Sequence, residues 1–191
     1  APGQSQQVSH ACKAGYYTDQ QAQQEAKPCA TGTYQDQPGQ SQCRNATAGH
    51  MVAVSGQSQQ ASCDPGTVQP AGGQPSCTDC EYGTYQPGSG NATCIAADAG
   101  FFVGSKRQTA QEPCPPGTMQ PLPGQQKCDD CNFGTYQPGS GSTTCIGADP
   151  GSFVPSVRAT EALTTALRAM YTWELLRLGG QRINITLRQA R

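Results

Sequence analysis

A glycine stands at every seventeenth position over most of the 191-residue chain, and this period constrains the fold more than any other feature. Two residues after each repeat glycine comes a bulky apolar or aromatic residue, and a second glycine follows after seven residues in six of nine units. Such a fixed period indicates an array of small repeats, each with one apolar anchor and one or two turn points. The repeat glycines are Gly15, Gly32, Gly49, Gly66, Gly83, Gly100, Gly117, Gly134 and Gly151.

Each unit is predicted to form a short hairpin. The segment at 83–90, Gly-Thr-Tyr-Gln-Pro-Gly-Ser-Gly, is an extended piece between residues that tolerate positive φ, and its proline excludes a helix. Leu, Ile, Val and Phe number only 22 of 191 residues, which is too few for an ordinary packed core. A unit therefore needs a covalent staple and stacked neighbours. Units that contact only their neighbours would form a thin rod with disulfides and aromatic rings inside.

Eleven cysteines supply the staples, and they occur only three residues before or eleven residues after a repeat glycine. Five units have both cysteines and three units have neither, so joint presence and joint absence favour one bond within each unit. A closed loop of about fifteen residues stabilises by about 3 kcal/mol. The predicted pairs are Cys29–Cys43, Cys63–Cys77, Cys80–Cys94, Cys114–Cys128 and Cys131–Cys145.

A crossed scheme fits the same spacing, with bonds from Cys63 to Cys80 and from Cys77 to Cys94 tying adjacent units together. Bonding within units leaves Cys12 unpaired or available for an intermolecular bond, whereas the crossed scheme pairs Cys12 and leaves Cys43 over. Bonding within units is the favoured interpretation.

Three units open with Cys-x-x-Gly-Thr-Tyr, at Cys29, Cys80 and Cys131, and close with a cysteine after thirteen intervening residues. This pattern resembles the cysteine-rich repeats of tumour necrosis factor receptors and the ephrin-receptor-like repeats of extracellular proteins, over about residues 12 to 157. The resemblance implies an extracellular location and supports bonds within units. Repeats of this kind also occur in large surface and filament proteins of algae and other protists. The interlocked second module of the receptors is missing, so no ligand-contact residue carries over.

The last 34 residues, 158–191, are different in kind, with six of the seven leucines, the only tryptophan and a net charge of +4 against −5 for residues 1–157. Apolar residues at helical spacing predict a helix from Thr160 to the Gly179-Gly180 pair, followed by a short strand. The tail could cap the last repeat, dock on another copy of the chain, or be an error of gene prediction. The docking interpretation rests on Leu167, Trp173 and Leu176.

The two ends of the array predict how copies could join. Residues 3–7 match residues 56–60, so residues 1–11 look like a half-repeat, and the ninth unit is expected to stop halfway before the helix. Head-to-tail assembly would complete a split unit at each junction. The alternative is a longer array cut at an arbitrary point.

Three Asn-x-Thr sequons, at Asn45, Asn91 and Asn184, predict N-glycosylation in a secreted chain, and O-linked sugars are also possible. Little supports catalysis, because His10 and His50 have no partner pattern. The Cys-x-x-Cys spacings at 77–80 and 128–131 fit zinc or redox sites, but they fall where repeats meet and are interpreted as structural disulfides. Asp79, Asp129 and Asp130 offer at most weak calcium binding and are better explained as a solvated acidic face.

These observations predict a small disulfide-rich, mainly β fold: an elongated rod of about nine 17-residue hairpin repeats, grouped in threes of 51 residues, over 12–157, with a C-terminal α-helix and short strand. The predicted function is that of a secreted structural glycoprotein in an extracellular filament, fibre or cell-surface coat, with further copies of itself or other extracellular proteins as partners. The alternative is a ligand-binding or adhesion ectodomain. An enzyme, a cofactor, a nucleic-acid partner and a membrane span are not expected.

Overall fold

The computed structural model describes residues 12–19 and 25–164, and within this range each consecutive stretch of seventeen residues contains one small hairpin. We number these stretches as units 1 to 9, from 12–28 to 148–164. Positions within a unit are counted from its repeat glycine, which is position 0, so that each unit runs from −3 to +13.

Every unit contributes two strands of two residues each, and the two strands pair only with one another, antiparallel. Nine separate two-stranded sheets result, which confirms the predicted hairpins. The strands are β1 (Tyr16–Tyr17), β2 (Lys27–Pro28), β3 (Thr33–Tyr34), β4 (Arg44–Asn45), β5 (His50–Met51), β6 (Ala61–Ser62), β7 (Thr67–Val68), β8 (Thr78–Asp79), β9 (Thr84–Tyr85), β10 (Ile95–Ala96), β11 (Phe101–Phe102), β12 (Glu112–Pro113), β13 (Thr118–Met119), β14 (Asp129–Asp130), β15 (Thr135–Tyr136), β16 (Ile146–Gly147), β17 (Ser152–Phe153) and β18 (Leu163–Thr164).

A tight turn starts each hairpin. In unit 2 the Thr33 amide donates to the Ala30 carbonyl at 3.0 Å, and Gly32 sits third in this turn with a φ of 80°. A positive φ at this place favours glycine. The Thr33 hydroxyl donates to the same carbonyl at 2.7 Å, so the side chain reinforces the turn. The same hydroxyl bond recurs in all five units that contain a cysteine pair, from Thr33, Thr67, Thr84, Thr118 and Thr135.

The ninth hairpin is complete, in contrast to the sequence prediction. Leu163 pairs with Phe153 across β17 and β18, so the predicted helix start at Thr160 is wrong and the repeats continue through Thr164 instead of ending at 157. The seventeen-residue period thus outweighs the local helical spacing, because three backbone hydrogen bonds stack this hairpin on unit 8, among them the one from the Arg158 amide to the Cys131 carbonyl. Unit 9 is therefore not a half-unit. The predicted junction, in which half-units of two copies combine into one unit, has no half-unit at this end of the array. The rest of the predicted tail lies outside the described residues.

Neighbouring units are joined by three backbone hydrogen bonds of one pattern. Between units 2 and 3, the Gly32 amide donates to the Val52 carbonyl, the Gln35 amide to the Gln57 carbonyl, and the Gly56 amide to the Cys29 carbonyl. The same three bonds recur at all eight junctions, with lengths of 2.7 to 3.3 Å. Each unit is thereby stacked on the next through main-chain atoms.

The repeat glycines contact the unit after next. A Cβ atom added at Gly83 would lie 2.7 Å from the carbonyl carbon of Gly124 and closer still to its oxygen, and the other repeat glycines from Gly15 to Gly117 face position +7 two units on in the same way. The expectation that units contact only their immediate neighbours is therefore wrong. The backbone of one unit packs so closely on the second unit along that a side chain does not fit between them.

A central column of buried residues runs through the stack, formed by positions −3 and +3, which are buried throughout units 2 to 8. The aromatic anchors at position +2 are only half-buried, as Tyr34 and Tyr85 show. The predicted interior of disulfides and aromatic rings is thus half right. Cysteines line the column, whereas the aromatic rings keep part of their surface exposed, although the smaller Val68 at the same position +2 is buried.

Candidate functional site

Five disulfides connect position −3 to position +11 of the same unit. The cysteine at −3 is buried in the central column, for example Cys63 and Cys80 at 0% exposure, and its partner at +11 is half-buried. The two Cα atoms lie 5.7 to 5.8 Å apart in every pair, within the usual range for a disulfide. The pairs are Cys29–Cys43, Cys63–Cys77, Cys80–Cys94, Cys114–Cys128 and Cys131–Cys145, and none crosses between units.

Both Cys-x-x-Cys spacings are thereby accounted for, since the members of each spacing bond outward to different partners. Cys77 bonds to Cys63 and Cys80 to Cys94, and the spacing at 128–131 follows the same rule. Within residues 12–19 and 25–164, no three His, Cys, Asp or Glu side chains come together as metal ligands.

A buried glutamine at position +3 accompanies every disulfide, and sequence analysis missed it. The amide nitrogen of Gln86 donates to the Thr93 carbonyl at 2.7 Å, and its oxygen accepts the Gly88 amide at 3.1 Å. The Gln86 side chain thus supplies hydrogen-bond partners to the backbone of the loop that leads to Cys94. The same bonds satisfy the buried side-chain amide of Gln86. The signal was present in the sequence, because Gly-Thr-x-Gln occurs in all five units with paired cysteines. The glutamines are Gln35, Gln69, Gln86, Gln120 and Gln137.

Units 3 and 6 lack the disulfide and close with a hydrogen-bonded clasp at the same place. Position −3 is alanine, position +3 is a buried valine, and position +11 is glutamine. In unit 3 the Gln60 oxygen accepts the Thr47 amide at 2.7 Å, and the Gln60 nitrogen donates to the Thr47 hydroxyl at 2.9 Å. In unit 6 the Gln111 oxygen accepts the Asp98 amide at 2.6 Å, and its nitrogen donates to the Asp98 carboxylate at 2.8 Å. We call these two sets the glutamine clasps.

Large apolar side chains are exposed at matching positions of units 5 and 8. Tyr82 and Phe133 occupy position −1, with 49% and 69% of their surface exposed, and Ile95 and Ile146 occupy position +12. Phe133 follows Tyr82 by 51 residues, and Ile146 follows Ile95 by the same number. An exposed aromatic ring and an exposed isoleucine therefore occur together in unit 5 and again in unit 8. We call these four residues the repeated apolar pair.

Arginine replaces the second glycine in units 6 and 9, at a positive φ of about 60° for Arg107 and Arg158. Arg107 reaches back two units, with its guanidinium nitrogens 3.8 Å from Asp64 and 3.9 Å from Asp79. About half or more of each of the three side chains is exposed to solvent. Exposed ion pairs of this kind stabilise a protein little. Asp79 thus faces an arginine, which accounts for one residue of the acidic face.

Two other ion pairs shift pKa values on the surface. The hydrogen bond from Lys27, at 2.7 Å, lowers the pKa of the Asp19 carboxyl, and the same bond raises the pKa of Lys27. The hydrogen bond to Glu81 raises the pKa of Lys106, whose ammonium also lies 5.6 Å from the centre of the Tyr82 ring. Both pairs are well exposed to solvent.

Cys12 is the one free cysteine among the described residues, and it is buried at 6% exposure in the column position −3 of unit 1. Its thiol donates to the Gln40 carbonyl at 3.6 Å, and the closing position of the unit is Ala26. The predicted intermolecular bond would first have to expose this sulfur.

The sequons differ in accessibility. Asn45 lies on strand β4 and is exposed, with its side chain close to Gly73 of the unit after next. Asn91 is half-buried, its amide nitrogen donates to the Ser89 carbonyl at 3.3 Å, and its own carbonyl accepts the Gln69 amide. Asn45 is therefore the more accessible acceptor. Asn184 lies outside the described residues, as do His10 and the predicted docking residues Leu167, Trp173 and Leu176.

His50 lies at the start of strand β5, where its Nδ1 is 3.2 Å from both the Thr47 hydroxyl and the Ala48 carbonyl. These contacts fix the ring next to the clasp of unit 3. Asp129 and Asp130 form strand β14 and are exposed, as a solvated acidic face requires.

Comparison with models of known protein families finds no match to this chain, and comparison with curated proteins finds none either. No helix within the described part of the chain is long and apolar enough to cross a membrane. Five disulfides in a mainly β repeat array are typical of extracellular and secreted proteins.

Proposed function

We propose that the protein is a secreted structural glycoprotein, a subunit of an extracellular filament, fibre or cell-surface coat in which copies assemble head to tail. The observation that carries this proposal is the unit junction. All eight junctions use the same three backbone hydrogen bonds, so stacking depends little on which side chains a unit carries. A surface that accepts any unit of the array is suited to accept a unit of another copy.

The resemblance of the Cys-x-x-Gly-Thr-Tyr units to tumour necrosis factor receptor and ephrin-receptor-like repeats supports the extracellular part of the proposal. The exposed Asn45 in a disulfide-stapled unit supports glycosylation, because an acceptor asparagine must be reached by a large enzyme and then carry a bulky sugar. We propose no catalytic role and no cofactor.

The repeated apolar pair supports contacts between copies along the side of the array. Tyr82 with Ile95 and Phe133 with Ile146 each place an exposed aromatic ring and an exposed isoleucine at the same two positions of units 51 residues apart. A repeating surface fits a repeating partner, and a second copy of the same array is such a partner. A site for one soluble ligand would instead require one unit to differ on its exposed face.

Electron microscopy and sedimentation of the secreted, non-reduced protein test the proposal. The test variant carries Tyr82→Ser with Phe133→Ser, which removes exposed apolar surface while leaving the central column unchanged. Val54→Ser is the matched control, since Val54 is also exposed at 61% but lies outside the repeated apolar pair.

Regular fibres or sheets from the wild type and the control, with weaker lateral association of the double variant, are the expected result. A wild-type protein that stays monomeric at every concentration overturns the proposal. A monomer that binds one soluble ligand would favour the alternative, a receptor or adhesion ectodomain.

A further inference from the structure

The disulfides determine how a pulling force would travel along the array. In a stapled unit the force passes from position −3 directly to position +11 through the bond, so the fourteen residue steps between them carry no load. Only three steps, from Cys77 to Cys80, then separate one closed loop from the next. In units 4 and 5, the disulfides thus carry the force past both hairpins, and the same holds for units 7 and 8. We call these two sets of units the stapled pairs.

Units 3 and 6 have no disulfide to carry the force past their hairpins. A force between Cys43 and Cys63 must run through twenty residue steps, including the whole hairpin of unit 3, and the segment from Cys94 to Cys114 is its counterpart in unit 6. Between Cys29 and Cys145 these two segments hold forty of the forty-six steps that are free to extend while the disulfides are intact.

Only non-covalent bonds hold these two units closed. Within unit 3 they are the glutamine clasp between Gln60 and Thr47, the two-residue pairing of β5 with β6, and the bond from the Cys63 amide to the Gly49 carbonyl at 2.9 Å. The three backbone bonds at each of its two junctions, with units 2 and 4, must also break before the unit can extend. The clasp atoms are exposed to water, so they can exchange partners with solvent and then pair again.

We propose that units 3 and 6 are the extensible elements of the array between Cys29 and Cys145, each of which opens under tension and closes again when the tension falls, while the stapled units stay folded. The inference rests on the proposed structural role only for the source of the tension. Each opened segment has a contour length of about 70 Å, from twenty steps at about 3.5 Å. One such element in every 51 residues gives a rod reversible stretch without breaking a covalent bond.

Single-molecule force spectroscopy of the full chain, tethered at its two ends in non-reducing buffer, tests the inference. The staple variant Ala46→Cys with Gln60→Cys installs cysteines at positions −3 and +11 of unit 3, where five other units hold a disulfide. Closure of that bond shortens the fully extended chain by about 43 Å, which verifies the staple independently. The control Gln60→Ala removes the clasp without adding a bond.

Units 1 and 9 also have no disulfide and are expected to extend at the two ends of the chain. Between them, the wild type is expected to show two low-force extension events of equal size, each reversed on relaxation. The staple variant should lose one of them and keep the other, and Gln60→Ala should keep both but open one at a lower force. Extension of the wild type in a single step that the staple leaves unchanged overturns the inference. Because one molecule is pulled at a time, this outcome is independent of whether copies form filaments.

Discussion

Replacing a repeat glycine by alanine should destabilise the array far more than replacing a glycine at position +7. Gly83 and Gly124 are a matched pair for this purpose, since both have a positive φ, of 77° and 71°, and they face each other across two units. An added Cβ at Gly83 meets the backbone of Gly124 at 2.7 Å or less, whereas an added Cβ at Gly124 has Ala96 as its nearest neighbour at 3.9 Å.

The left-handed backbone costs either alanine about 1–2 kcal/mol, and this penalty is common to both variants. Gly83→Ala must in addition move the Gly124 carbonyl, at about 1–3 kcal/mol for overpacking. That movement strains the bonds from the Gly83 amide to Val103 and from the Gly124 amide to Ala97, each of which contributes about 1 kcal/mol. The expected difference between the two variants is about 3 kcal/mol.

Native-state hydrogen exchange measures this difference locally, which suits a repeat array that need not unfold in one step. The Ala97 and Val103 carbonyls accept the amides of Gly124 and Gly83, so these two amides report on the junctions that the substitution disturbs. Both amides are kept in both variants, because alanine also has a backbone N–H. Their exchange should be roughly a hundredfold faster in Gly83→Ala than in Gly124→Ala. Equal effects of the two substitutions would refute the close packing between units two apart.

Three further outcomes are expected. Gln86→Leu should lower the free energy of unfolding by about 2 kcal/mol, because the Thr93 carbonyl and the Gly88 amide lose their partner. Urea unfolding of the oxidised protein measures this loss, and an unchanged urea midpoint would contradict the prediction. Cys12 should react with a thiol reagent only after unfolding, one thiol per chain, and immediate labelling of the native protein would count against its burial. Lys27→Met should raise the pKa of Asp19, as a carboxyl NMR titration would show. An unchanged pKa of Asp19 in this variant refutes the pairing. Because the pKa of Asp19 is lowered in the folded protein, the small contribution of the pair to stability is present above the ordinary carboxyl pKa and is lost as the pH falls through the lowered pKa.

Local features of the fold were predictable because they depend on residues close together in the chain. The seventeen-residue period, the turn glycine and the proline-containing loops each act within one unit, so hairpins could be inferred without knowledge of how units pack. Joint presence of two cysteines in a unit favoured the bond that the structure contains, although spacing alone also allowed the crossed scheme.

The helix start at Thr160 was predicted wrongly for a related reason. Leu163 and Leu167 have helical spacing, but Leu163 pairs with Phe153, ten residues earlier in the chain, and a pattern of spacings within a few residues does not register such a partner. The buried glutamines were missed because glutamine is usually exposed. Only the loop that folds around Gln86 supplies the backbone partners that make its burial favourable.

The sequence by itself determined the period, the hairpins and the placement of staples, since these follow from turn chemistry and from the spacing of residues within single units. Only the tertiary structure decided that the glycine at position 0 packs against the unit after next, that Gln60 and Gln111 close units 3 and 6, and that the tyrosines lie beside the column. The physical reason is that the glycine contacts join backbone segments two units apart, which meet only once the units are stacked. The clasps and the exposure of the rings depend on where side-chain atoms lie in the folded hairpin, which the spacing of residues does not specify.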